Sequence, residues 1–153
     1  MNKDSGSVSF RERLARAVAP GHPLTLQEII KRYQGPQRLY TVGRRFARGG
    51  RWALAEILFE WAAQLWSENL GPRHAYVSTA TAFEGWCLLQ QGDLQGAASR
   101  YERALDIAKD LVGAEAPRAV QLEADLDWIR GRTTGLGVDD LPPGPPDRPE
   151  ANS

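Results

Sequence analysis

Shifted by 42 residues against itself, the sequence aligns Gly50 with Gly92, Ala55 with Ala97, Glu60 with Glu102, Ala62 with Ala104 and Gly71 with Gly113. The same offset pairs Phe59 with Tyr101, Leu65 with Ile107 and, further back, Gly43 with Gly85. A fixed period of this length points to a repeat architecture, in which each unit buries its apolar face on the next. Inside each unit the period is helical. Trp52, Ala55, Leu58, Phe59, Ala62 and Leu65 recur at steps of three and four, as do Leu94, Ala97, Ala98, Tyr101, Ala104, Leu105 and Ala108, so each stretch buries one broad helix face. Small residues at the same places in both copies imply helices crossing at the same close contacts, because Gly and Ala let backbones approach.

Turn chemistry cuts the chain into elements. Gly49-Gly50 and Gly92-Asp93 supply reversals between paired helices, Gly permitting positive φ and Asp offering a side-chain cap to the helix that follows. Gly71-Pro72 and Gly113 close the longer helices, and Pro117 suits the first turn of the next. The pattern predicts helices near 8–19, 25–34, 37–48, 51–69, 75–91, 93–111 and 116–131. Residues 1–36 read as basic N-terminal helices packing on the repeats, and 37–132 as the repeats themselves. Past Arg132, Gly135-Leu136-Gly137 and Leu141-Pro142-Pro143-Gly144-Pro145-Pro146 cannot sustain a helix or bury a core, so 133–153 reads as a disordered Pro-rich tail.

These residues resemble the tetratricopeptide repeat, in the longer 42-residue form seen in kinesin light chain-like proteins. The second copy carries the resemblance best, with Gly85, Leu88, Gln91-Gly92-Asp93-Leu94, Ala97, Tyr101-Glu102-Arg103-Ala104-Leu105 and Ile107, followed by the linker-like Leu111-Val112-Gly113-Ala114-Glu115-Ala116-Pro117. Gly43, Phe46, Gly50, Trp52, Ala55, Phe59 and Ala62 form a fainter first copy. Glu84 and Asp127 depart from the pattern, at a column the family usually fills with an apolar residue, and helix 116–131 has no partner helix after it. The resemblance covers about residues 37–131. It implies an all-α fold, a short right-handed superhelical solenoid of antiparallel helix pairs. Helix 116–131 would be a C-terminal cap that turns Glu123, Asp125 and Asp127 to solvent over Leu122, Leu126 and Ile129.

In this family the first helix of each pair lines a concave face. The resemblance therefore implies that one column of the groove reads Arg44, Trp86, Trp128, spaced by 42. Its neighbours read Tyr40, Ala82, Ala124, then Thr41, Phe83, Asp125, then Arg48, Gln90, Arg132. Tyr40, Arg44, Arg48, Phe83, Trp86, Gln90, Asp125 and Trp128 are thus the candidate partner-binding residues. Aromatic rings supply apolar area at low entropic cost and arginines supply planar forks for carboxylates, which suits an extended and acidic peptide. Trp52, Trp61 and Trp66 are expected between helices instead.

The function class this implies is a non-catalytic protein–protein interaction adaptor. No catalytic, cofactor or metal site is expected. His22 and His74 stand 52 residues apart in predicted turns without a helical i, i+3 or i+4 partner, and no Gly-rich phosphate loop, nucleophile elbow or Cys/His cluster is present. The single cysteine, Cys87, lies in the apolar run Trp86-Cys87-Leu88-Leu89 and reads as a buried small hydrophobe. No window approaches the roughly 18 apolar residues of a membrane span, and the polar start Met1-Asn2-Lys3-Asp4 lacks a signal-peptide stretch, so a cytoplasmic protein is expected.

A second function class competes for the same helix. Residues 1–50 carry ten Lys and Arg against three Asp and Glu, a net +7, while the remainder carries nine against sixteen, a net −7. Leu24 to Tyr33, a short turn, and Gln37 to Arg48 have some likeness to a helix-turn-helix, with Arg38, Arg44, Arg45 and Arg48 able to meet phosphates or guanine edges. Against that reading, Gly43 interrupts the second helix and also fits the 42-residue repeat. Two helix pairs and a cap stand near the minimum of about three repeats such folds need, so homodimerisation is a natural supplement. Phe10, Leu14, Ala17 and Val18 share a face that would complete the core in cis or dock on a neighbouring subunit.

Overall fold

The computed structural model describes residues 10–17, 28 and 35–132. Their elements are α1 (Phe10–Ala17), α2 (Pro36–Arg48), α3 (Trp52–Leu70), α4 (Ala75–Gln90), α5 (Leu94–Val112) and α6 (Pro117–Arg132). Each predicted helix from 37 onward is found with its ends moved by no more than a residue. The predicted helix 25–34, the ends of helix 8–19 and the tail 133–153 lie outside the described residues.

The offset seen in the sequence is repeated in the backbone. At the end of α2, Gly50 N–H donates to Ala47 O at 3.0 Å and Arg51 N–H to Phe46 O at 2.9 Å; 42 residues on, Gly92 N–H donates to Leu89 O and Asp93 N–H to Leu88 O at the same distances. Both sets are Schellman closures around a left-handed glycine, with φ of 77° at Gly50 and 84° at Gly92. The capping chemistry differs. Asp93 accepts from Gly96 N–H at 2.9 Å, whereas Arg51, its counterpart, has no side-chain cap bond. At α4 the cap is His74, the turn residue expected, whose Nδ1 accepts from Tyr76 N–H at 3.1 Å.

Pairs α2/α3 and α4/α5 stack through α4, which touches both α3 and α5, and α6 closes the array on α5. Within each pair the helices cross at a glycine. A Cβ on Gly43 would sit 3.0 Å from the Phe59 ring, and one on Gly85 would sit 2.7 Å from the Tyr101 ring. Those two contacts are 42 residues apart at both ends, the shared close crossing that the small residues imply.

Packing divides into two apolar clusters that meet at α4. The first gathers Leu39, Leu54, Leu58, Phe59, Ala62, Trp66, Val77 and Phe83; the second gathers Ala97, Tyr101, Ala104, Leu122, Leu126 and Ile129. Each fully buried large side chain contributes about 1.5–3 kcal/mol. Trp66 is buried and Trp52 and Trp61 are partly buried against the first cluster, as expected for tryptophans between helices. From the N-terminal segment, Leu14 of α1 is fully buried in the first cluster and α1 rests on α3.

Candidate interaction surface

The first helices of successive pairs touch one another. The Tyr40 ring of α2 meets the Phe83 ring of α4 edge-on at 5.6 Å, and Arg118 Nη2 of α6 donates to Thr79 Oγ1 of α4 at 2.6 Å. Together α2, α4 and α6 present a three-helix face on which the candidate residues can be located one by one.

Three of the eight lie in the interior. Tyr40 is buried, with its ring 5.7 Å from Phe59 and 5.5 Å from Trp66; Phe83 is buried and stacks on Phe59 at 4.9 Å. Phe59 and Trp66 reach across from α3 and draw these two rings out of any groove, because offset and edge-on ring pairs gain more together than apart in water. Asp125, expected at the surface, is 3% exposed. Its Oδ1 accepts from Gln121 Nε2 at 2.9 Å, while Oδ2 is buried with no hydrogen bond. Burial pushes its carboxyl up to about 6 against the opposing pull of Gln121.

The other five are half-buried or exposed, as is Arg132, a sixth residue of the same columns. Trp86 is half-buried, edge-on to Trp52 at 5.1 Å and to Phe83 at 6.1 Å, and its ring packs against both apolar clusters. Trp128 is half-buried beneath the Arg132 guanidinium, 4.6 Å from the ring centroid, a cation–π arrangement. Arg44 lies half-buried with its guanidinium 5.9 Å from the Tyr40 ring; Gln90 is half-buried and Arg48 exposed. Arg44, Trp86 and Trp128 thus remain partly accessible at positions spaced by 42, as do Arg48, Gln90 and Arg132.

A pocket of about 270 Å³ opens elsewhere, between α3 and α5, and was not foreseen as a site. Glu84 is one of its lining residues, 4% exposed, and its Oε2 accepts from Arg100 Nε at 2.8 Å. Burial pushes this carboxyl up to about 8, more than the Arg100 charge holds it down. The signal was present in the sequence as a glutamate in an apolar column. Cys87 is fully buried and burial raises its thiol, which makes it inert as a nucleophile. Asp106 and Asp110 both accept from the Arg73 guanidinium at the surface.

The family model for the tetratricopeptide repeat matches residues 37–110. These residues are tetratricopeptide repeats. No curated protein and no solved structure matches the chain. The matched span runs from the first turn of α2 to the last turn of α5, so the two tetratricopeptide helix pairs are α2/α3 and α4/α5, and α6 is the closing helix beyond them. Tetratricopeptide repeats are in general protein–protein interaction modules, and the family is typically a non-catalytic scaffold. Among the described residues, no three His, Cys, Asp or Glu side chains are grouped to hold a metal ion, and no helix is long and apolar enough to cross a membrane.

Proposed function

We propose that this chain is a non-catalytic adaptor that holds an extended, acidic segment of another protein along the row Arg44, Trp86, Trp128, with Arg48, Gln90 and Arg132 at its edge. The observation that carries the reading is the seating of the two tryptophans. Each is held by its neighbours, Trp86 by Trp52 and Phe83 and Trp128 by Arg132 and the second cluster, while remaining only partly buried. A ring already immobilised loses little entropy on binding, so its contact area is converted to affinity more fully than that of a free side chain. Arginines at one side of the rings favour carboxylates in the bound segment through paired N–H donors.

The competing reading uses α2 alone. Arg38, Arg45 and Arg48 are exposed on that helix, while Leu39, Tyr40, Val42 and Ala47 face the core. A helix held in this way could lie against nucleic acid. Fluorescence anisotropy against a display-selected acidic peptide and against duplex DNA, each between about 50 and 200 mM salt, separates the two. Peptide binding that weakens only a few-fold over this range supports the adaptor; DNA binding that falls by roughly 40-fold or more, as three phosphate contacts would give, with no peptide bound, supports the alternative.

A further inference from the structure

Charge is unevenly spread over the three first helices. α2 carries the arginines Arg38, Arg44, Arg45 and Arg48 and no acidic residue. Glu84 is the one charged side chain of α4, and Arg100 of α5 already donates to it at 2.8 Å. On α6, Asp125 is buried, Glu123 lies 3.7 Å from Lys109, and Arg130 meets Glu102 at 2.9 Å. Asp127 is exposed roughly 100° round that helix from Trp128. Among the described residues, Arg48 and Arg132 make no ion pair. The C-terminal ends of α2 and α6 therefore hold two guanidiniums with no described carboxylate against them.

The sequence after Arg132 has the opposite charge. Residues 133–153 carry Asp139, Asp140, Asp147 and Glu150 against Arg148, a net −3. This stretch begins where α6 ends, beside the Arg132 side chain that covers Trp128. Its first acidic pair follows seven and eight residues later, a length of at most about 23–29 Å when extended. α4 stands between α6 and α2, joined to the first by Arg118 and Thr79 and to the second by Tyr40 and Phe83. Crossing from α6 to α2 takes two helix diameters, about 20–24 Å. An extended chain of this length brings Asp139 and Asp140 to the end of α2, and its one apolar side chain before Val138, that of Leu136, falls near the level of α4.

We propose that this tail is itself an occupant of the adaptor face, with Asp139 and Asp140 against Arg44 and Arg48 and Leu136 against Trp86, and that it competes there with the partner segment. The competition rests on the adaptor reading; the contact within the chain does not. A segment tethered so close has an effective concentration of about 1 mM. An intrinsic dissociation constant of about 0.2 mM would then weaken a competing partner about fivefold.

The test compares the whole chain with Asp139→Asn/Asp140→Asn and with Asp147→Asn/Glu150→Gln, which removes the same charge further along. Two readouts are taken on each protein. Without ligand, the indole N–H shifts of Trp86 and Trp128 and the amide shifts of residues 44–48 are recorded; then the affinity of one display-selected acidic peptide is measured by fluorescence anisotropy. Asp139→Asn/Asp140→Asn is expected to move the Trp86 indole and residues 44–48 and to bind the peptide about fivefold more tightly. Asp147→Asn/Glu150→Gln is expected to match the wild type within about twofold. Unmoved shifts in the first variant, or equal responses in the two, overturn the contact. Moved shifts with equal peptide affinity in all three proteins overturn the competition. Failure of the adaptor reading is distinct: the peptide is then insensitive to Trp86→Ala/Trp128→Ala, and the shifts recorded without ligand still decide whether the tail occupies the face.

Discussion

The two repeats share a backbone frame and differ in what they enclose. Their reversals have the same hydrogen bonds and glycine conformations, and in each a glycine of the first helix takes an aromatic ring of the second. Inside that frame the first repeat is apolar. Phe59 stacks on Phe83, and Val42 and Leu58 are buried. At the matching places the second repeat and closing helix carry Tyr101 and Asp125, then Glu84 and Arg100. Tyr101 Oη is buried without a hydrogen bond, as is Asp125 Oδ2, and the Asp125 charge adds to the burial that raises the Tyr101 hydroxyl. The difference teaches that the fold is specified by backbone approach and turn geometry, while the side-chain pairs across the interface are free to take up other chemistry at a cost in stability.

That comparison can be broken at its strongest point first. Phe59 packs on Gly43, Tyr40 and Phe83, and Phe59→Ala should lower stability by about 3–5 kcal/mol in urea denaturation. Tyr101→Ala should cost a similar amount if the frames are equivalent; a loss under about 1 kcal/mol would show that the second frame is held in some other way.

The glycine crossings come next. Gly85→Ala places a Cβ 2.7 Å from a buried ring and should cost about 1–3 kcal/mol, even after the better helix propensity of Ala. Gly43→Ala, at 3.0 Å, should cost clearly less. Thermal melts of both variants read the difference, and equal costs would remove the tighter second crossing from the account.

Asp125 gives the pH dependence. Its carboxyl titrates at about 6 in the folded protein against 3.8 ordinarily, so the unfolded chain ionises first as pH rises. Its contribution is therefore fully present below about pH 4 and lost as pH rises through about 6. Asp125→Asn should accordingly be about 1–3 kcal/mol more stable than the wild type at pH 7 and no more stable at pH 3.5. Stability curves against pH for the two proteins that run parallel would contradict the burial of this charge. The smallest effect expected is that of Tyr101→Phe, which removes an unsatisfied hydroxyl and should leave stability unchanged or raise it by up to about 1 kcal/mol in the same urea assay.

The frame was legible because it rests on residue types with few substitutes. Gly50, Gly92, Gly43 and Gly85 recur at 42 residues, since a left-handed turn and a ring pressed on a helix both require the absence of a Cβ. The face of the first helices was legible only in part. The column rule assigned Tyr40 and Phe83 to a groove, but Phe59 and Trp66 of α3 take both rings into the core. How far a second-helix side chain reaches depends on the rotation of that helix, which a 42-residue offset does not encode. Asp125 was read as a solvated charge for the usual reason that carboxylates avoid burial. Its column-mate Phe83 was the contrary signal, since the same offset places Asp125 where a buried ring stands one repeat earlier.

The most direct test of the adaptor assignment is the affinity of a display-selected peptide for the wild type and for Trp86→Ala/Trp128→Ala, both confirmed as folded by circular dichroism. The account predicts a loss of about tenfold or more in the double variant, as expected for two seated aromatic anchors. Equal affinity for the two proteins would contradict it and remove the tryptophan row as the binding face.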